Sequence, residues 1–366
     1  MRIKSKLFSL FTIFIFLVSS GLADELGSHK PLMLKSKNYT EYWEQFFYLS
    51  DGSLITSQFL VANFPWPVGN EHGVMLGTLV TPEGKLYVIK NGRNRENWGY
   101  NEKELDFFIH THRLKTIDNG YSIHLENSMA SIDLQLKSNQ LPLSHKKFSS
   151  SNGFMETSFY APSLIGNGKW QLGPEAGFES MGPVQTIDQA SGFGVHVIMT
   201  DTADQLIKHW VRILGIGNAD IKPFLSSITR PNGDEEIILK LFNANEEFDS
   251  FKDVDITFDN IIIEKGVSYP TTINISAKSN NGNLNGTFKY TKKIAHFNLN
   301  EHLNFFEKSI SKTNPLVNSF RYLVDYSLVY KTAEGEKTFA SKALSEYTDI
   351  TSSTITSQKK RRRNRR

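Results

Sequence analysis

The stretch FFIHTHRLKTIDNGYSIHLE, residues 107–126, holds two runs rich in β-branched and aromatic side chains around Asp118-Asn119-Gly120. Asn-Gly tolerates the positive φ that a type I′ turn needs at both central positions, so this is the strongest short hairpin signal in the chain. The same rhythm runs outward in both directions. Short apolar or alternating runs separated by Gly, Asn, Asp and Pro place strands at 41–49, 54–63, 74–80, 85–90, 107–117, 121–126, 131–136, 154–160 and 192–199. After a polar interval at Asp201 to Gln205 it resumes at 206–214, 223–229, 235–242, 253–258, 261–265, 271–276, 285–290 and 322–330. Only 300–312, with Leu303, Phe306 and Ile310 in helical register, reads as a helix. Two successive sets of roughly eight antiparallel strands point to an all-β chain of two tandem barrels or sandwiches.

The ends differ from this body. Arg2, Lys4 and Lys6 precede an apolar run from Leu7 to Val18, and Gly21 and Ala23 occupy small-residue positions, so 1–23 is expected to be a signal peptide cut after Ala23. The apolar run is about a dozen residues, short of the ~20 that cross a bilayer as a helix. The expected organisation is a lead-in at 24–39, a first domain at 40–200, a second at 201–335 and a polar, polybasic, disordered tail at 336–366. An exported chain, periplasmic or secreted, with no cysteine has no disulfides and must be held by its hydrophobic core. The formal charge of +3 comes from Lys359, Lys360, Arg361, Arg362, Arg363, Arg365 and Arg366; without them and the signal peptide the body is acidic. That run suits an anionic envelope surface, or is a solvated end; nucleic acid is not an expected partner.

No Gly-rich phosphate loop, G-x-S-x-G elbow or H-E-x-x-H is present, so nucleotide binding and the corresponding hydrolase and zinc chemistries have no support, and no cofactor is expected. His110 and His112 alternate on a run read as one strand and would share a face, with Glu126 opposite as a third metal ligand; two exposed histidines are the plainer reading. His196 interrupts the apolar run Gly192 to Met199, and His209-Trp210 opens the next. A buried imidazole needs a partner, and Asp201 or Asp204 is in reach, so His196, His209 and Asp201 are the candidates for acid–base catalysis.

The aromatic first strand with Asp51-Gly52, the Gly192-x-Gly194-x-His196 strand, Met199 and His209-Trp210-x-Arg212 together resemble the fungal survival-factor proteins. These group with bacterial carotenoid 1,2-hydratase-like (hydroxyneurosporene synthase, AttH-like) proteins. The resemblance implies two tandem lipocalin-like (calycin) antiparallel barrels with few short helices, and an apolar ligand site in or between them. The Asp-His-x-Trp-Gly cluster of the hydratase-like members has His196 and His209-Trp210 as its nearest equivalents, and the survival-factor match favours ligand handling. The expected function is therefore a carrier of a lipid-like or other apolar small molecule, bound through Trp43, Trp66, Trp98, His196 and Trp210, with Trp170 a further aromatic. The alternative is a hydratase, isomerase or cyclase acting on a hydrophobic polyene at the inter-domain site.

Overall fold

The computed structural model describes residues 31–63, 70–101, 104–138, 143–149, 153–217, 219–243, 246–298, 301 and 316–351. The expected signal peptide, the helix at 300–312, Trp66 and the basic residues 359–366 lie outside these. No helix among the described residues is long and apolar enough to cross a membrane.

The first half forms β1 (Thr40–Leu49), β2 (Leu54–Ala62), β3 (His72–Val80), β4 (Leu86–Arg93), β5 (Trp98–Tyr100) and β6 (Asp106–Ile109). It continues through β7 (His112–Ile117), β8 (Gly120–Glu126), β9 (Ala130–Lys137), β10 (Leu143–Ser149), β11 (Phe154–Leu172) and β12 (Gln185–Met199). The second half begins with one short helix, α1 (Ala203–Leu206), then β13 (His209–Gly215), β14 (Lys222–Thr229), β15 (Glu235–Phe242) and β16 (Glu247–Phe251). It ends with β17 (Asp253–Glu264), β18 (Val267–Lys278), β19 (Asn283–Asn298), β20 (Leu316–Thr332) and β21 (Gly335–Thr351).

Each half is a single antiparallel sheet wound up and down, with its last strand returning to its first. In the first sheet the order runs β4-β3-β2-β1-β12-β11-β9-β8-β7-β6-β5, with β10 beside β11. The two edge strands, β4 and β5, are consecutive in the chain and separated only by Asn94 to Asn97, so the sheet must curl until its edges meet. Trp98 fills that meeting line. Its indole Nε1 donates to the Glu71 carbonyl at 2.8 Å, and it lies so close over Gly73 that a Cβ there would sit 2.6 Å from the ring. The second sheet repeats the plan as β16-β15-β14-β13-β21-β20-β19-β18-β17, with its edges joined through Lys252 alone, and makes a half-barrel. The chain is thus two tandem antiparallel barrels.

The hairpin expected within 107–126 forms, but its turn is not type I′: Ile117 pairs with Gly120, so Asp118 and Asn119 are the central residues, and of these only Asn119 has a positive φ, 59°. Its first run does not stay one strand. His110, at φ of 57°, and Thr111 make the turn between β6 and β7. The tail expected from residue 336 also needs correction. Residues 336–351 belong to β21, which pairs with β20 along its whole length and with β13 from His209 to Gly215.

Candidate functional site

The two sheets meet through their first strands and the neighbours of those strands. β1 has no solvent face: Trp43, Phe47 and Leu49 point into the core of the first barrel, while Tyr42, Glu44 and Phe46 point at the second sheet. β13 mirrors this, with Val211 and Ile213 in its own barrel and Trp210, Arg212 and Leu214 toward the first. Side chains alternate across a strand, so a strand trapped between two layers must carry two different cores in one sequence.

At this seam lies a cavity of about 210 Å³. Its walls are largely apolar, with Leu60 and Leu76 on one side and Met199, Ile207, Phe297 and Ile350 on others. One end is charged. Arg212 donates from Nη1 to Glu44 and from Nη2 to Glu346, and Arg321 donates from Nε to the other Glu346 oxygen at 3.0 Å. Arg321 also gives Nη1 to the Thr78 hydroxyl at 3.0 Å, and Thr78 meets Thr56 at 2.6 Å. The Arg212 guanidinium is sandwiched over the rings of Trp210 at 4.5 Å and Phe46 at 4.8 Å, and Trp210 is held by its Nε1 on the Ser226 hydroxyl at 2.7 Å. All four charged groups are at most 7% exposed.

The two carboxyls are not equivalent. Burial would raise the Glu346 carboxyl, but Arg212 and Arg321 outweigh it and hold it down at about 2. Glu44 is pushed above the usual carboxylate range by burial, which the attraction of Arg212 offsets only in part, with Glu346 repelling. Burial, with Glu44 adjacent, also keeps the Tyr42 phenol protonated far past neutrality. Tyr42, Glu44 and Arg321 all line the cavity, and the Tyr42 hydroxyl, Glu44 Oε1 and Arg321 Nη2 have no partner among the described residues. One end of an apolar chamber therefore presents a carboxyl of raised proton affinity, a phenol and a guanidinium.

The residues singled out in the sequence fall in several places. His196 is buried inside the first barrel, stacked on Trp43 with ring centroids 4.5 Å apart, and pairs through Nε2 with Glu41 at 2.7 Å. Glu41 also accepts from the Tyr39 hydroxyl and the Leu32 N–H. Asp201, the expected partner, instead accepts from the Thr202 N–H and the Asn38 amide ahead of α1. His209 sits on the barrel-facing side of β13 and pairs with Asp349 at 3.1 Å. Neither histidine lines the cavity, and of Trp43, Trp98, Trp170 and Trp210 only Trp210 does.

The metal candidate separates because the turn at 110–111 breaks the alternation on which it rested. His110 and Glu126 are exposed, while His112 is fully buried in the first barrel. No group of three ligating side chains occurs among the described residues. His112 Nδ1 accepts from the Glu126 N–H at 3.1 Å, which leaves Nε2 protonated and facing the Asn91 side-chain amide at 3.2 Å. The Asn91 amide must then present its oxygen to the ring. This bond joins β4 to β7 across the barrel's closing line.

Sequence reasoning missed Tyr42, Glu44, Arg321 and Glu346, and noted Arg212 only as part of a pattern. The available signal was a charge inside an otherwise apolar or aromatic run: YWEQFF, HWVRIL, SFRYLV and LSEYT.

No protein-family profile and no curated protein matches the sequence. Solved structures do match. CghA, solved with Sch210972, aligns at a TM-score of 0.61 and 6% identity, over 87% of this chain and 89% of that one. A putative AttH from Nitrosomonas europaea aligns at 0.56 and 10% identity, covering 85% and 92%. Kievitone hydratase from Nectria haematococca aligns at 0.54 and 11% identity, covering 89% and 92%. The expected tryptophan-lined carrier is therefore corrected: the architecture is shared with a named hydratase, and of the described tryptophans only Trp210 lines the cavity, at the end that carries two arginines and two carboxyls. The chain has the AttH-like, carotenoid 1,2-hydratase-like fold of two tandem lipocalin-like barrels.

Proposed function

We propose that the chain is an enzyme of hydratase, isomerase or cyclase type that moves protons on an apolar, unsaturated small molecule in the seam cavity. The observation that carries this is the buried Glu44–Arg212–Glu346–Arg321 network at the head of an otherwise apolar chamber. Buried ion pairs are weak contributors to stability compared with hydrophobic side chains of equal volume, so such a network reads as a functional investment. Carboxyls driven apart in acidity by their surroundings are the usual arrangement where one fold must supply both an acid and a fixed anion.

The test is turnover. The full chain is incubated in D2O with kievitone, a linear polyene and a long-chain enone, and products are read by mass spectrometry. Enzyme-dependent gain of water, or of carbon-bound deuterium, is expected for at least one of them. Recovery of all three unchanged and unlabelled overturns the reading. Export remains part of the proposal, supported by the sequence of residues 1–23, as does contact of the basic run at 359–366 with an anionic envelope surface.

A further inference from the structure

We propose that Glu44 is the proton donor of the seam cavity, and that the Tyr42 hydroxyl and the Arg321 guanidinium bind an oxyanion or enol oxygen carried by the same substrate. This rests on the proton-transfer reading above and names its acid and its substrate class.

The asymmetry of the two carboxyls is geometric. Glu346 is clamped on both oxygens by two different guanidiniums, Arg212 on Oε2 and Arg321 on Oε1. Glu44 is held on Oε2 only, by Arg212, while Oε1 has no partner among the described residues and belongs to a cavity-lining side chain. The groups around Glu44 are Tyr42 on its own strand, Arg212 on β13, Arg321 on β20 and Glu346 on β21. The doubly clamped carboxylate stays ionised beside Glu44 and repels a second negative charge, so of the two carboxyls Glu44 is the one that takes up a proton.

With Glu44 neutral, two guanidiniums face one carboxylate, and one positive charge is left over in a largely apolar chamber. A buried uncompensated charge is costly, and an incoming anionic oxygen removes that cost. Tyr42 and Arg321 have the free donors to hold it, and the apolar wall receives the rest of the molecule. The substrate class is thus an alkene-bearing apolar body with a phenolate, enolate or carboxylate oxygen at one end.

In the reaction the Glu44 O–H bond breaks and its proton goes to one carbon of a C=C bond, whose π pair forms the new C–H bond. The neighbouring carbon becomes cationic. Water captures it and returns its surplus proton to the Glu44 carboxylate, which gives a hydrated product. Alternatively the cation loses an adjacent proton to Glu44, which gives an isomer. In both cases Glu44 ends as it began, and Arg212 stabilises the carboxylate in between.

Infrared difference spectra of the full chain against Glu44→Gln at neutral pH test this without turnover. The wild-type protein should show a protonated-carboxyl C=O stretch that the variant lacks; loss of carboxylate bands instead overturns the assignment. Should Glu44→Gln fail to fold, a shift of the same band in Glu44→Asp gives the answer. On whichever probe is turned over, Glu44→Gln should lower kcat by roughly a hundredfold or more. An active chain whose Glu44→Gln variant keeps full kcat retains the enzyme reading and loses this one. Isothermal titration with decanoate and with decanol probes the oxygen site. Decanoate should bind at least about tenfold tighter, a margin of about 1.4 kcal/mol, and Tyr42→Phe should reduce that margin; equal affinities overturn the oxyanion site.

Discussion

Arg212, on the first strand of the second barrel, donates a hydrogen bond to Glu44 on the first strand of the first barrel. The two strands occupy equivalent places in their sheets, so this contact sits on the line about which the tandem halves are docked. Among the described residues it is the one guanidinium–carboxyl contact that crosses from one sheet to the other at the cavity, and it sets what substitutions there should do.

Arg212→Met removes a cation that serves two buried carboxyls. A loss of about 3–5 kcal/mol of stability is expected, read from the denaturant midpoint. Replacing all four members together, as Glu44→Leu, Arg212→Met, Arg321→Met and Glu346→Leu, should leave stability unchanged or raise it by about 1–4 kcal/mol while abolishing turnover. A quadruple variant that is active would remove the network from the chemistry.

Tyr42→Phe deletes one hydroxyl without changing the ring that packs at the seam. Loss of a hydrogen bond to a charged oxygen is worth about 1.5–3 kcal/mol, so KM should rise at least about tenfold. The melting temperature should hold, since no described group is left unpaired by the change.

His112 is pushed down to about 4 by burial, with His110, His124 and Arg93 adding to the effect. An unfolded histidine titrates near 6.5. Between those values the unfolded chain binds the proton and the folded chain does not, so this stability is present above about pH 6.5 and is lost as pH falls toward about 4. The contribution is roughly 3 kcal/mol at most. Urea midpoints from pH 7 to pH 4 should decline for the wild-type protein and decline less for His112→Gln.

His196→Ala separates structure from chemistry. It strips the imidazole from the buried Glu41 carboxylate and opens space against Trp43, so a cost of about 3–5 kcal/mol is expected. Residual folded protein should keep its kcat, because His196 lies on the barrel side of β12 and outside the cavity. A hundredfold fall in kcat in the folded fraction would return His196 to the site.

Much of the architecture was legible because turn chemistry is local. The strand at Glu235–Phe242 and the hairpin at Asp118-Asn119 follow from Pro-Asn-Gly and Asp-Asn-Gly alone. His110-Thr111 was illegible as a turn because no Gly, Pro, Asn or Asp marks it and neither residue announces a positive φ. β21 was illegible for the opposite reason: its first half, GEKTFASK, is largely exposed and reads as solvated chain, and only Ala343 to Thr348 is buried as a run. The charged end of the cavity was hidden by β1 and β13. Alternation assigns every second residue of a strand to water, yet here that face meets a second sheet, so Glu44 and Arg212 looked like surface charges. Their partners Arg321 and Glu346 lie more than 100 residues away in the chain, a distance no local pattern bridges.

The trapped first strand of each barrel has a further consequence for how the protein could be taken apart. Residues 31–199 produced alone would expose Glu44 with no counter-ion, and 200–351 alone would expose two arginines against one glutamate, so each piece would carry an unmet charge on an apolar face. Mixed together, the pieces should find one another through that mismatch, and catalysis should appear only in the mixture.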